Sequence, residues 1–152
     1  MSIGHMQDQG LRASREGREL HKFVDDDTGV TAGFVVQTAA AIYYDIPAGK
    51  QVVVDTVYLG CSTVDDEITA YVVSCAAVAG GGVATQRMHH WKVATGTKKE
   101  GIIHKIFHLD VPVVIKYSSG ARSVSLAVKG NDTDIVGTYG WCGWVEDEGT
   151  LS

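Results

Sequence analysis

Gln51-Val52-Val53-Val54-Asp55-Thr56-Val57-Tyr58-Leu59-Gly60-Cys61 is the stretch that decides the fold. β-Branched and aromatic side chains dominate it, and they fit an extended, pleated chain better than a helix. Strict alternation places Val52, Val54 and Tyr58 on one side and Val53, Val57 and Leu59 on the other. A strand with apolar residues on both faces is one covered on both faces. Just before it, Ile46-Pro47-Ala48-Gly49 reads as a type I turn with proline second and glycine fourth.

Working outward, runs of the same texture recur between turn residues. Residues 34–45 form the run before the turn, and residues 68–78 follow the polar connection Asp65-Asp66-Glu67, ending at Gly80-Gly81-Gly82. Residues 83–95 lead to the cluster Gly96-Thr97-Lys98-Lys99-Glu100-Gly101. The runs 102–109, 111–117, 121–129 and 135–146 complete the series, with Ser118-Ser119-Gly120 and Gly130-Asn131-Asp132 as turns. Ile102, Ile103, Ile106 and Phe107 also fit a helical stripe, but the flanking turns and Val113-Val114-Ile115 favour a strand. Eight strand candidates predict an all-β, antiparallel two-sheet sandwich, jelly-roll-like, with an extended N-terminal arm. Eighteen glycines against two prolines agree with many tight turns and few strand breakers. The expected boundaries are an arm over 1–29, a β-sandwich over 30–148 and a tail over 149–152.

The arm is expected because residues 1–29 are polar and charged, ending in Asp25-Asp26-Asp27. Arg12, Arg15 and Arg18 recur every third residue and, with Lys22, are the expected contacts to a partner protein; Gly17 weakens a helix there. The opening MSIGHMQDQG lacks the basic start and apolar run of a signal peptide. No run reaches the roughly 20 apolar residues of a membrane-spanning helix. Thirteen Lys and Arg against eighteen Asp and Glu give a formal charge of −5, the wrong sign for a surface built to neutralise phosphates. The expectation is no nucleic-acid partner and no membrane.

Motifs for chemistry are few. Cys61, Cys75 and Cys142 are odd in number and far apart, and read as free thiols in strands. His104 and His108 could share a metal on a helix, but on a strand four residues separate them by about 13 Å. The metal-binding jelly rolls called cupins use a His-x-His pair with a glutamate; here His89 and His90 are adjacent, and no glutamate follows until Glu100. No nucleophile elbow, calcium loop or phosphate loop is present. The acidic clusters read as solvated turns. Catalytic residues, metal ligands and cofactors are therefore not expected.

The most distinctive segment is Gly137-Thr138-Tyr139-Gly140-Trp141-Cys142-Gly143-Trp144. Glycines alternating with large aromatics let rings lie over bare backbone. Two uses remain open: core packing, or an exposed platform of Tyr139, Trp141 and Trp144 for a sugar or a partner protein.

On Ile46-Pro47-Ala48-Gly49-Lys50-Gln51-Val52-Val53-Val54, on Gly120-Ala121-Arg122-Ser123-Val124-Ser125-Leu126 and on the closing residues 140–145, the chain resembles small jelly-roll bacteriophage virion proteins, the group of capsid decoration (cement) proteins and tail-fibre head domains. The likeness covers roughly residues 33–147 and is one of β-sandwich texture. It implies a non-enzymatic structural protein of the virion, assembled in the host cytoplasm, that forms a homo-oligomer (dimer or trimer) and binds a capsid or other virion protein. The alternative it leaves is a receptor-binding or carbohydrate-binding module.

Overall fold

A computed structural model describes residues 19–61, 66–94, 103–133 and 135–149. Nine strands occur in this order: β1 (Glu19–Val30), β2 (Val35–Val36), β3 (Tyr44–Asp45), β4 (Lys50–Cys61), β5 (Glu67–Cys75), β6 (Ala84–Ala94), β7 (Ile103–Lys116), β8 (Ser123–Gly130) and β9 (Ile135–Asp147). The first sheet has the order β1-β9-β4-β7; the second has β2-β8-β5-β6, with β3 also paired to β8. Every pairing is antiparallel. β2 meets Ala127–Val128 and β3 meets Ser123–Val124, so the two are halves of one interrupted strand along β8. Counted that way, the described residues form two four-stranded sheets with the strand order of a jelly roll. Among the described residues, no helix is long and apolar enough to cross a membrane.

The core lies between the sheets. Val52, Val54, Val57 and Leu59 of β4 and Ile115 of β7 pack with Ile68, Val72, Leu126 and Val128 of the second sheet. Burying each such side chain is worth roughly 1.5–3 kcal/mol, so this layer is the main cohesive term. The residues between β2 and β3 close one side of the sandwich. Ile42 is buried there, its carbonyl accepts a hydrogen bond from Trp141 Nε1 at 2.8 Å, and the Ala41 carbonyl accepts one from the Phe23 amide at 3.0 Å.

Several sequence expectations change. Residues 19–29, expected within the arm, belong with Val30 to β1 and pair along β9 from Glu19↔Trp144 to Val30↔Ile135. Leu20 and Val24 pack on the core, while the strand's backbone hydrogen bonds, which composition does not display, hold the rest. The runs 102–109 and 111–117 are one strand, β7, interrupted where residues 109–112 stand opposite Asp55. Pro112 is accommodated because it falls in that irregularity and β7 is an edge strand. In the turn before β4, the Lys50 amide bonds the Pro47 carbonyl at 3.1 Å and Gly49 has φ 77, so the turn starts one residue later than expected and places a left-handed glycine third. Finally, a bulge at Asp55 breaks strict alternation in β4. Val57 and Leu59 therefore join Val52 and Val54 in the core, and Tyr58 turns to the outer face with Thr56.

Asp25-Asp26-Asp27, expected in a solvated turn, instead fastens β1 to β9. Asp25 Oδ1 accepts from Thr138 Oγ1 at 2.9 Å, and the Asp26 amide donates to the same hydroxyl at 3.1 Å. Asp26 has φ 47 at a register shift in β1. Tyr139 donates to Asp27 Oδ2 at 2.6 Å and lies 2.8 Å from Gln37 Oε1. Burial and that carboxylate push the phenol far above its usual range.

Candidate interaction faces

The outer face of the first sheet is built row by row from strand register. Across β1, β9, β4 and β7 the rows read Glu19–Trp144–Val53–Val114, then His21–Cys142–Thr56–His108, then Phe23–Gly140–Tyr58–Ile106. The bulge at Asp55 and the break in β7 coincide, and there the face opens into a groove of about 600 Å³. Glu19, His21, Asp55, Thr56, Tyr58, His108, Cys142, Gly143 and Trp144 line it, with Leu20. Around it Phe23 is 41% exposed and Ile106 54%, with Val114 also exposed. Gly140 has a structural reason to lack a side chain: a Cβ would meet the Lys22 carbonyl and, at 2.9 Å, the Phe23 ring. With that space left open, Phe23 and Tyr58 meet edge to face, 6.2 Å between centroids.

Polar side chains meet one another inside the groove. The Cys142 thiol donates to the Tyr58 hydroxyl at 3.6 Å. Burial pushes the thiol's pKa up, Asp55 and Glu19 add to the shift, and the Tyr58 hydrogen bond opposes it. A thiol held in its protonated form is a poor nucleophile. His108 Nδ1 lies 3.4 Å from Thr56 Oγ1, which donates to Asp55 Oδ1 at 3.2 Å. Among the described residues, no group of three or more His, Cys, Asp or Glu could hold a metal ion. His104 and His108 stand on a strand, opposite Gly60 and Thr56. His90 stacks on Tyr71, 4.9 Å between centroids.

The outer face of the second sheet is different. Phe34 and Tyr71 lie 4.8 Å apart on a small apolar floor of Val73, Cys75 and Ala127. The Arg87 guanidinium sits 5.1 Å from the Phe34 centroid and 5.3 Å from that of Tyr71, and Lys129 Nζ sits 4.9 Å from Phe34. Cation–π contacts of this kind hold the two charges against the face.

Tyr139, Trp141 and Trp144, for which core packing and an exposed platform were both open, are all buried. Tyr139 and Trp141 are 1% and 0% exposed, pointing into the core, and Trp144 is 8% exposed beneath the groove. Of the expected partner contacts, Lys22 is engaged within the chain: its Nζ donates to the Ala40 carbonyl at 3.3 Å and lies 6.0 Å from the Tyr44 centroid. Arg12, Arg15 and Arg18 lie outside the described residues. Sequence reading missed both outer faces. The apolar runs were visible, but which residues share a face depends on the bulges.

No family model matches the sequence, and no curated protein does either. Among solved structures, the chain is similar to one from the Gx strain of infectious bursal disease virus, at 16% identity and a TM-score of 0.47, over 88% of this chain and 34% of that one. The chain thus spans about a third of that protein's length. It is also similar to the coat protein of tobacco streak virus, at 9% identity and a TM-score of 0.35, over 89% of this chain and 90% of that one.

Proposed function

We propose that this chain is a non-enzymatic structural protein of a virion, a decoration or cement protein that stabilises neighbouring capsid subunits through its surface and its N-terminal segment. The observation that carries the reading is the first sheet's outer face, where Phe23, Ile106 and Val114 are exposed around a groove with no activated nucleophile. An exposed apolar patch on a soluble domain marks a place where another protein docks. The jelly-roll order adds support, since such sandwiches recur in viral shells as well as in lectins. The basic residues Arg12, Arg15 and Arg18 are the proposed contacts of the N-terminal segment. The alternative, a receptor- or carbohydrate-binding module, finds no exposed platform in Tyr139, Trp141 and Trp144, all of them buried.

The test is attachment to particles, measured by co-sedimentation with shells that lack the protein. Deleting residues 1–18, which spares β1, and substituting Phe23→Glu should each weaken attachment. Full attachment by both variants defeats the proposal.

A further inference from the structure

Charge is segregated between the two sheets. β1, β4, β7 and β9 carry eight acidic residues (Glu19, Asp25, Asp26, Asp27, Asp55, Asp110, Glu146 and Asp147) and four cations, Lys22, Lys50, Lys105 and Lys116. β2, β3, β5, β6 and β8 carry two acidic residues, Asp45 and Glu67, against Arg87, Lys92 and Lys129. Glu67 is taken by Lys92, 3.0 Å away. Arg87 and Lys129 make no ion pair among the described residues, although the whole chain has more acids than bases. They rest on aromatic rings instead, as a cationic ridge over an apolar floor. The opposite side of the molecule offers the complement: an open groove with Glu19 and Asp55 in its lining and exposed apolar side chains around it.

We infer that the partner of the groove is a second copy of this chain, with the Arg87–Lys129 ridge of one copy seated in the Glu19–Asp55 groove of the next. This rests on the assembly reading above and names the partner of its docking face. The contact is heterologous, joining two different surfaces, so each copy keeps one free half and the arrangement propagates or closes into a ring. An interface of fixed cations against acids with apolar groups beside them gives both register and cohesion.

Sedimentation velocity on the full chain tests it, with circular dichroism to verify folding of each variant. Wild type should self-associate at low salt and dissociate as salt shortens the electrostatic range to about 8 Å and below. Arg87→Glu with Lys129→Glu should weaken self-association about tenfold or more, and so should Glu19→Gln with Asp55→Asn. The decisive sample mixes the two double variants. Each retains the half that the other has lost, so together they should form one-to-one dimers and nothing larger. A mixture that stays monomeric, a ridge variant that associates like wild type, or a monomeric wild type at low salt each overturns the inference. Particle attachment by the same variants is read separately: attachment without self-association removes the inference and leaves the assembly proposal standing.

Discussion

The two outer faces of the sandwich are made by the same kind of element and end up with opposite characters. The first sheet presents Phe23, Ile106 and Val114 around a groove containing Glu19 and Asp55. The second presents a compact stack of Phe34, Tyr71 and His90 under Arg87 and near Lys129. The groove arises where β4 and β7 lose regular pairing at the same place. The second sheet also has register shifts, at Tyr71/Val72 and Ser74/Cys75, but its face is filled by rings packed on rings. An irregularity thus becomes a cavity only where no large side chain covers it.

The largest effect that would sharpen this contrast lies under the groove. A Cβ on Gly143 would run into the Val53 carbonyl of β4, and backbone cannot step aside as a side chain can. Gly143→Ala should cost about 3 kcal/mol, lowering the melting temperature by roughly 10 °C. A melting point within a degree or two of wild type would mean that the two strands are not so close at the groove.

Next comes the clamp at the edge of the same sheet. Tyr139→Phe removes the hydrogen bond to Asp27 and should cost about 1.5 kcal/mol at neutral pH by urea denaturation. The same phenol gives a pH signature. Its folded pKa is raised above the usual 10.0, so the folded state holds the proton that the unfolded chain releases. Its contribution is complete below about pH 10 and falls as pH rises beyond it. Stability should therefore decline above pH 10 more steeply in wild type than in Tyr139→Phe, and parallel curves would remove the buried phenol as the cause.

Smaller effects separate the faces themselves. Phe23→Ala should cost about 1 kcal/mol by thermal unfolding, because the ring is partly exposed yet packs on Tyr58 over Gly140. Arg87→Gln should change stability least, by about 0.5 kcal/mol, since exposed cation–π contacts to Phe34 and Tyr71 are all that is lost. If Arg87→Gln proved the more destabilising of the two, the ridge would be a structural brace, and its exposed charge would no longer argue for a partner.

Residues 51–61 announced a strand, and β4 is an inner strand paired with both β9 and β7, but only one of its faces lies under the other sheet; the opposite face, with Thr56 and Tyr58, lines the groove. The segment 137–144 likewise alternated as expected, with Tyr139 and Trp141 inward and Gly140 and Cys142 outward. The groove was not legible, because one extra residue at Asp55 moves Val57 and Tyr58 to opposite faces and nothing in Val54-Asp55-Thr56 marks it. β1 was not legible either. Its inward positions are Leu20, Lys22 and Val24, too polar to register as a buried side, and its place in the sheet is secured by partners more than a hundred residues away, as at Asp25–Thr138 and Asp27–Tyr139.

By itself the sequence determined the class of structure: β-branched runs of strand length, glycine-rich turns and few prolines leave little but antiparallel layers. Strand propensity and turn chemistry are local, so they can be read from neighbours in the chain. Only the tertiary structure decided which side chains share a surface, and therefore that Tyr139 and Trp141 build the core while Phe23, Tyr58, Arg87 and Lys129 face outward or lie at the surface. Facing is fixed by inter-strand register, and a single bulge reverses it without altering composition or propensity.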